Sequence, residues 1–503
     1  MATLIASIDC GSSLIKAGIL DLNGRLVCDA SREAPCAYKN GGSVEIEPDA
    51  LIAGVFSALK EAVEKSGASP ADIAALAVSS QRASVLGLDA KGKPVGNIIS
   101  WQDMRGKAGI DILKKRICDA DYYNITGIPN NPLFTLSKIL FIKNNSPDIY
   151  KKISKFTLLC GYINKAFGCA DAAIDISNAS LTGIFDISSL RWSRKIIELA
   201  GISKDKLPQL MRSGIPAGAV SGHAAPRCGL LKGTPIISGA GDQQCALIGT
   251  GALSKGSGAL TLGTASVLMG LTRKVFKDPE MKIFCTHGSL DGARMLEGFQ
   301  SSAGAGVNWL RRTLLAGREM SKKFLREIAT IKPGAGGIIF YPYFAGAAAP
   351  NWNPEATGLC LGLKFSHTPA SIARALFESI AMETRGISEL FKSAGVGLRE
   401  IRITGGLANI ETLNQIIADA LNKNVSTLMN PEASLLGAAI LAACGAGIYG
   451  SAGQAVAKMT AAGKTYFPDR ENAEFYSNLF KKYNEIYISL NKGKVFKKLS
   501  VDH

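Results

Sequence analysis

The stretch IASIDCGSSLIKAGIL, residues 5–20, predicts two short apolar strands joined by the small-residue turn Gly11-Ser12-Ser13. A second stretch of the same design, GALTLGTASVLMGLT at 258–272, turns at Gly263-Thr264-Ala265. A single match of this kind is weak evidence, because glycine-rich hairpins are common. Two halves that each begin with such a hairpin nevertheless predict a duplicated domain, with a cleft between the two copies.

Strands and helices alternate along the chain, which is typical of an α/β architecture. Further strands are expected at 26–30 and 73–78, and the spacing of apolar residues predicts helices over 49–65, 369–394 and 470–490. Because 503 residues exceed the usual length of one domain, more than one is expected. We predict an N-terminal domain over 1–247 and a C-terminal domain over 248–503.

The composition, 47% hydrophobic and 19% charged, is that of a globular protein with ordinary cores. The longest uncharged stretch, 433–457, is interrupted by glycines, so a short buried helix and a glycine turn are expected rather than a membrane span. The first residues lack a basic leader, which argues against a signal peptide and predicts a cytoplasmic protein. Eleven dispersed cysteines without a C-x-x-C pair fit reduced thiols, and no pair of the four histidines has zinc-site spacing.

The excess of basic residues gives a net charge of +16, which raises the question of a polyanionic partner. The lysines and arginines are scattered over the whole chain, and their short clusters lack interleaved aromatic residues. A solvated basic surface is therefore favoured over nucleic-acid binding, for which steeply salt-dependent binding would be expected. The same charge would suit a small anionic ligand such as a nucleotide.

Three segments could carry chemistry, and each has a structural alternative. The acid and hydroxyls of 9–13 could bind Mg²⁺ and phosphate, or form an ordinary hairpin turn. Asp242 follows a strand over 235–238 and could act as a general base or cap the next helix. The glycine-rich turn 405–409 could border a flat base or be purely structural. The stretch 462–465 imitates the end of a P-loop, but Lys458 stands where its first glycine belongs.

Seven segments in order resemble the FGGY carbohydrate kinases, a family with the actin-like (ribonuclease H-like) ATPase fold. The segments are DCGSSLIKAG (9–18), SSQRASVLGLDAKGKPVGNIISWQDMR (79–105), GAGDQQCALIG (239–249), LGTASVLMG (262–270), EGFQSSAGAGVNWLRR (297–312), GGLANIETLNQIIAD (405–419) and PEASLLGAAILAACGAG (431–447). The resemblance implies an ATP- and Mg²⁺-dependent kinase that phosphorylates a primary hydroxyl of a small sugar or polyol, and a homodimer is expected.

The resemblance also implies roles for individual residues. Asp242 would be the general base, and Asp9 would hold Mg²⁺ through water. The remaining positions are Gly11, Ser12, Ser13, Lys16, Gly263 and Thr264 for phosphates; Arg82, Ala83, Trp101, Asp103 and Gln243, with Asp242, for the substrate; and Gly304, Asn308, Gly405, Gly406 and Asn409 for the nucleotide. Phosphoryl transfer depends mainly on positioning and charge neutralisation, which these residue types can supply.

The acceptor is harder to assign, because the chain departs from two subfamilies. Glycerol kinases carry an acid where Ala83 stands, and aromatic rings where Leu133 and Val267 stand. The segment WQDMR (101–105) resembles xylulose kinases, but their Met-His pair is replaced by Arg82-Ala83. The loss of a carboxylate and two rings enlarges the pocket, so a ketopentose such as xylulose is favoured. Glycerol is the second candidate, with other polyols or sugar acids as further alternatives.

An actin-like ATPase without a sugar substrate is the alternative from another class. Such a protein would hydrolyse ATP through a bound water and would carry insertions for partner proteins. The sequence contains no such insertion, and the segment 79–105 would have no purpose there. Sugar-dependent turnover of ATP distinguishes the two readings.

Overall fold

The computed structural model describes residues 3–499. The strands are β1 Leu4–Cys10, β2 Leu14–Asp21, β3 Leu26–Glu33, β4 Cys36–Lys39, β5 Ser43–Ile46, β6 Ile73–Ser80, β7 Val85–Leu88, β8 Ile98–Ile99, β9 Lys155–Leu158, β10 Ile174–Asp175, β11 Phe185–Asp186, β12 Arg191–Trp192, β13 Leu210–Met211, β14 Pro216–Ala219, β15 Pro235–Gly241, β16 Ser257–Leu262, β17 Ser266–Thr272, β18 Phe284–His287, β19 Arg294–Gln300, β20 Ile339–Tyr341, β21 Leu359–Leu361, β22 Glu400–Thr404, β23 Asn424–Leu428 and β24 Ala462–Tyr466.

The helices alternate with these strands, as the α/β prediction requires. They are α1 Pro48–Ser66, α2 Lys107–Lys114, α3 Asp119–Thr126, α4 Thr135–Asn145, α5 Pro147–Lys152, α6 Leu159–Phe167, α7 Ile176–Ala179, α8 Arg194–Ala200, α9 Ala225–Cys228, α10 Asp242–Gly249, α11 Gly304–Leu314, α12 Lys322–Thr330, α13 Pro369–Ser393, α14 Glu411–Leu421, α15 Ala433–Gly445, α16 Ala452–Met459, α17 Arg470–Lys492 and α18 Val495–Leu499. Short 3-10 helices lie at Asn40–Gly42, Pro70–Asp72, Lys204–Lys206, Ala335–Gly337 and Gly406–Asn409.

The chain folds into two compact units that are not continuous in sequence. The first contains residues 1–251, 272–295 and 432–461, and the second contains 252–271, 296–431 and 462–503. A segment from the far end of the chain, which includes α15 and α16, thus belongs to the first unit. The simple boundary between residues 247 and 248 stays a prediction.

The sheet of the first unit has the strand order β14-β15-β6-β1-β2-β3. The hairpin predicted at 5–20 is confirmed: β1 pairs antiparallel with β2 and parallel with β6 on its other side. The apolar face of α1 packs against this sheet, and Leu51, Val55 and Leu59 are fully buried in its core. This packing explains why the apolar spacing of 49–65 predicted the helix correctly.

The second unit repeats the arrangement. Its sheet contains the order β19-β17-β16-β22-β23-β24, in which β16 pairs antiparallel with β17 and parallel with β22. Each unit therefore has the antiparallel hairpin that the internal repeat predicts, and in both units the first strand of the hairpin also pairs with a parallel strand. The P-loop imitation at 462–465 lies in β24, which agrees with its rejection.

Two helix predictions are confirmed in detail. Thr368 caps α13, since its side chain accepts a hydrogen bond from Ser371 N while the Ser371 side chain accepts one from Thr368 N. The uncharged stretch 433–457 contains the buried helix α15 and then a turn at Gly447, whose φ is +76°. Within residues 3–499, no helix is both long and apolar enough to cross a membrane.

Glu383 of α13 makes the stability of the second unit depend on pH. It is 5% exposed and accepts hydrogen bonds from the hydroxyls of Tyr343 (2.8 Å) and Tyr483 (3.0 Å). Burial raises its pKa from 4.5 to about 7, although these two hydrogen bonds oppose the shift. Between these values the folded protein binds a proton that the unfolded chain has released, so stability falls as the pH rises.

We therefore predict that Glu383→Gln flattens the pH dependence of stability between pH 5 and 8. From pH 5 to pH 8, the unfolding free energy of the wild type should fall by on the order of 3 kcal/mol more than that of the variant. Urea denaturation at both pH values measures the difference. Glu389→Gln, on an exposed position of the same helix, is the control. Parallel pH profiles for wild type and Glu383→Gln would contradict the prediction.

Candidate active site

In the first unit, Asp9 lies in a row of polar side chains that crosses three strands. It is opposite Lys16 on β2 and beside Ser79 on β6, so the three side chains point to the same face of the sheet. The hydroxyl of Ser79 donates a hydrogen bond of 2.8 Å to Asp9 Oδ1. The predicted phosphate turn follows directly, with Gly11 N donating to Leu14 O at 2.9 Å.

Burial raises the pKa of Asp9 to about 7, the hydrogen bond from Ser79 lowers it, and the charges of Asp242 and Glu432 raise it further. Lys16 has a smaller, opposing effect. Asp9 and Asp242, which are 233 positions apart in sequence, are therefore close enough to interact electrostatically. Such an accumulation of negative charge is suited to a cation or to cationic groups, and it is typical of a functional site.

The turn at 11–13 contacts the predicted substrate segment. Trp101 Nε1 donates a hydrogen bond of 3.0 Å to Ser12 Oγ, and Ser12 Oγ donates to Gln81 Oε1 at 3.2 Å. Gln81 makes a second hydrogen bond to the turn, in which its Nε2 donates to Gly11 O at 3.3 Å. Ser13 is exposed at the tip of the turn, whereas Gly11 and Ser12 are half-buried. The structure thus brings the predicted phosphate and substrate groups of this unit together.

Asp242 is the first residue of α10, but it is not the helix cap. The cap is Gly241, and Asp242 Oδ1 accepts hydrogen bonds from Gln243 N at 2.8 Å and from Arg82 Nε at 3.1 Å. The side chain of Asp242 is 28% exposed and that of Arg82 is 10% exposed. A Cβ at position 241 would lie 2.4 Å from Arg82 Cδ, so glycine there allows the arginine to approach. The carboxylate is thus held in place while still open to a ligand.

Close helix packing fixes the position of α10. Gly249 of α10 and Gly437 of α15 let the two helices approach, because a Cβ on either would lie 1.9 Å from a backbone oxygen of the other helix. Ser434 Oγ of α15 also donates to Asp242 O at 3.3 Å. The polypeptide around Asp242 is therefore anchored by a segment nearly two hundred residues later in the chain.

The other predicted substrate residues of this unit have different surroundings. Ala83 is 3% exposed and has a positive φ of 64°. Asp103 is 1% exposed, accepts a hydrogen bond from Val44 N at 2.9 Å and pairs with Arg105 at 2.7 Å. Gln243 has a buried Oε1 without a hydrogen-bond partner in the described part of the chain. Asp103 thus shapes the loop that carries Trp101, whereas Gln243 retains an unused acceptor.

The predicted nucleotide residues form a second group, in the second unit. Gly304 begins α11, and its N–H donates to Gly263 O at 3.0 Å in the turn between β16 and β17. A Cβ at 304 would lie 2.4 Å from that oxygen, so the contact requires glycine. Ala305 N donates to Thr264 O at 2.9 Å, which joins the helix start to the turn over two consecutive residues.

The turn at 405–409 lies at the same edge of this sheet. Because β16 and β22 are parallel, their carboxyl ends meet, and Gly405 follows β22 directly. Gly405 has a φ of +93°, and a Cβ there would lie 2.6 Å from Leu262 O. Thr264, Asn308, Gly406 and Asn409 are all exposed. The structure therefore groups the predicted nucleotide residues around one accessible edge of the second unit.

Several residues of the first unit were not singled out from the sequence. Ser79, Gln81, Gln244 and Glu432 all bond to predicted site residues: Gln244 Oε1 accepts from Arg82 at 3.3 Å, and Glu432 pairs with Lys16 at 2.6 Å. All four lie within the segments that resemble the family, so the resemblance could have identified them as candidate site residues. Within residues 3–499, no group of three or more His, Cys, Asp or Glu could hold a metal.

Comparison with known proteins identifies the family. The sequence model of the FGGY family of carbohydrate kinases, N-terminal domain, matches residues 4–249, and that of the C-terminal domain matches residues 258–446. The chain is 29% identical over 497 residues to a xylulose kinase from Bacillus subtilis, covering 96% of both proteins. It is 31% identical over 479 residues to a glycerol kinase from Citrifermentans bemidjiense, covering 93% of this chain and 94% of the relative.

A solved structure agrees with the two-domain α/β fold. The crystal structure of a gluconate kinase from Lactobacillus acidophilus superposes with a TM-score of 0.92 at 27% identity, covering 99% of this chain and all of that one. Both family models match in the expected order and together span most of the sequence. The chain therefore belongs to the FGGY family of carbohydrate kinases, phosphotransferases that act on an alcohol group.

Proposed function

We propose that this kinase transfers the γ-phosphoryl group of ATP to a primary hydroxyl of a small sugar, with a ketopentose such as xylulose favoured. The observation that carries the proposal is the environment of Asp242. Its carboxylate is partly exposed, held by Arg82 and by the N–H of Gln243, and lies at the start of a helix. A fixed carboxylate of this kind can accept the proton of an attacking hydroxyl.

The two small-residue turns lack bulky side chains, and each is proposed to bind phosphate oxygens of ATP. The proposed phosphate ligands are Gly11, Ser12, Ser13 and Lys16 in the first unit, and Gly263 and Thr264 in the second unit. Backbone N–H groups, hydroxyls and an ammonium are suitable donors for phosphate oxygens. Gly304, Asn308, Gly405, Gly406 and Asn409 would border the adenosine, since they lie at one accessible edge of the second unit.

The residues around Asp9 fit an Mg²⁺ ion that is held mainly by water and phosphate. Magnesium commonly keeps several waters and uses one or two carboxylates, and Asp9 supplies a carboxylate at the phosphate turn. When bound, the ion would neutralise charge on the phosphates. A bound cation would favour the ionised form of Asp9 and would therefore oppose the rise in its pKa that burial causes.

The acceptor would be bound by Arg82, Trp101 and Gln243, which border the carboxylate of Asp242 or the phosphate turn. Ala83 supplies no carboxylate, and Gln243, whose buried Oε1 has no hydrogen-bond partner within residues 3–499, lies beside the carboxylate of Asp242. We propose that the buried Asp103 acts by positioning Trp101 rather than by contacting the sugar. Relatives named for xylulose, glycerol and gluconate make all three compounds candidates, and the absence of an acid at 83 favours the larger acceptors.

A coupled assay of ADP release tests the proposed function. With ATP and Mg²⁺, the purified protein is offered pentuloses, other ketoses, glycerol, polyols and aldonates in parallel. We expect the highest kcat/KM with a ketopentose and little ADP release without sugar, and mass spectrometry should detect the sugar phosphate. Equal ADP release with and without every acceptor would favour the actin-like ATPase instead. The dimeric state and the cytoplasmic location stay predictions from the sequence.

A further inference from the structure

The N-terminal end of α15 contacts two parts of the candidate site in the first unit, the β1–β2 hairpin and the start of α10. Glu432, the residue immediately before the helix, pairs with Lys16 at 2.6 Å through its Oε1. Two residues later, Ser434 Oγ donates to the backbone oxygen of Asp242 at 3.3 Å. One short segment therefore contacts the residue proposed to bind phosphate and the polypeptide that carries the proposed base.

Two carboxylates, those of Asp9 and Glu432, interact with Lys16. Its hydrogen bond is to Glu432, which is farther away in sequence. Asp9 lies directly opposite Lys16 in the β1–β2 pair, where neighbouring side chains on one face are close enough to interact. The ammonium of Lys16 nevertheless bonds to Glu432, which is 416 positions away. The charge of Lys16 also acts on Asp9, so without Glu432 the carboxylate of Asp9 is an alternative partner for this ammonium.

The pair is sheltered enough to direct the lysine and open enough to reach a ligand. The side chain of Lys16 is 27% exposed and that of Glu432 is 29% exposed. Partial burial strengthens the attraction compared with a fully exposed pair, whose effect is usually small. An ammonium has three donors, so Lys16 can keep its bond to Glu432 and still donate to a phosphate oxygen.

We propose that Glu432 is a positioning residue that directs the ammonium of Lys16 toward the phosphates of the nucleotide and away from Asp9. This inference rests on the proposed function, because it takes Lys16 as a phosphate ligand. In this proposal Glu432 affects nucleotide binding through Lys16, and no contact between Glu432 and the sugar is invoked. Its removal should weaken nucleotide binding and leave the KM for the sugar unchanged.

The test compares Glu432→Gln with the wild type by calorimetric titration of ADP in the presence of Mg²⁺, a measurement that needs no turnover. We expect binding to weaken about tenfold, the loss that corresponds to one weakened charge-assisted hydrogen bond. The KM for ATP should rise similarly, and Glu432→Asp should recover part of the affinity. Glu61→Gln is the control, because it removes the carboxylate of a different ion-paired residue, which lies on α1.

A double-mutant cycle with Lys16→Met shows whether Glu432 acts through the lysine. In the Lys16→Met background, Glu432→Gln should have no further effect on ADP binding. Unchanged ADP affinity in Glu432→Gln, or a full additional loss in the double variant, would overturn the inference. Urea denaturation of each variant detects a loss of folding. If the wild type binds ADP but phosphorylates no sugar, the proposed function fails while this inference is still tested.

Discussion

Replacing Asp242 by Asn should lower kcat for sugar phosphorylation by about a hundredfold to ten-thousandfold, the range typical of a lost general base. Asparagine has nearly the same shape as aspartate, and its amide oxygen can still accept hydrogen bonds from Arg82 and Gln243 N. It cannot take up the proton of the attacking hydroxyl. The expected loss is therefore chemical rather than structural.

Initial rates measure the loss of chemical activity, and ADP titration shows whether nucleotide binding is unchanged. The affinity for ADP with Mg²⁺ and the urea midpoint should stay close to those of the wild type, while the ADP-release rate collapses. Asp49→Asn, which changes an exposed aspartate in the first turn of α1, is the matched control and should keep full activity. Wild-type turnover in Asp242→Asn would remove the basis of the proposed mechanism.

Replacing Gly437 by Ala should destabilise the first unit by about 2 kcal/mol or more, because overpacking of a tight core typically costs about 1–3 kcal/mol. The new Cβ would lie 1.9 Å from Cys245 O of α10, a contact with backbone that no side-chain rotation can relieve. Alanine favours the helical conformation by about 1 kcal/mol over glycine, and the steric conflict outweighs this gain. Because α10 begins with Asp242, activity should fall as well.

Urea denaturation and steady-state kinetics measure the two consequences. Gly453→Ala is the matched control, since it makes the same change within helix α16, where the nearest contact of a new Cβ is 3.9 Å away. We expect that variant to be as stable as the wild type or slightly more stable. If Gly437→Ala proves as stable as Gly453→Ala, the close approach of α10 and α15 is not needed for folding.

Local patterns predicted the elements well, and the reason lies in how each pattern arises. The turn at Gly11 and the start of the helix at Pro369, which Thr368 caps, depend on residues within a few positions of one another. Small residues at a turn and a hydroxyl before a helix have the same effect in most surroundings. At Asp242, local information left a helix cap and a functional carboxylate open, and the structure places Gly241 at the cap.

The contacts of the candidate site could not be predicted in the same way. Nothing near Lys16 in the sequence indicates a partner 416 positions away, and nothing near Gln81 indicates a bond to Gly11. The inclusion of 432–461 in the first unit brings Glu432 and Ser434 to the site, and this follows from the packing of α15 on α10. Such contacts depend on which surfaces are buried together.

By itself, then, the sequence determined the family, the duplicated α/β plan and the residue types available for phosphoryl transfer, because ordered motifs and apolar spacing are properties of the chain. Only the tertiary structure decided that Asp242 is held by Arg82 and that Lys16 bonds to Glu432 rather than Asp9. The physical reason is that hydrogen bonds and ion pairs act over a few ångströms, and folding determines which distant residues come within that range.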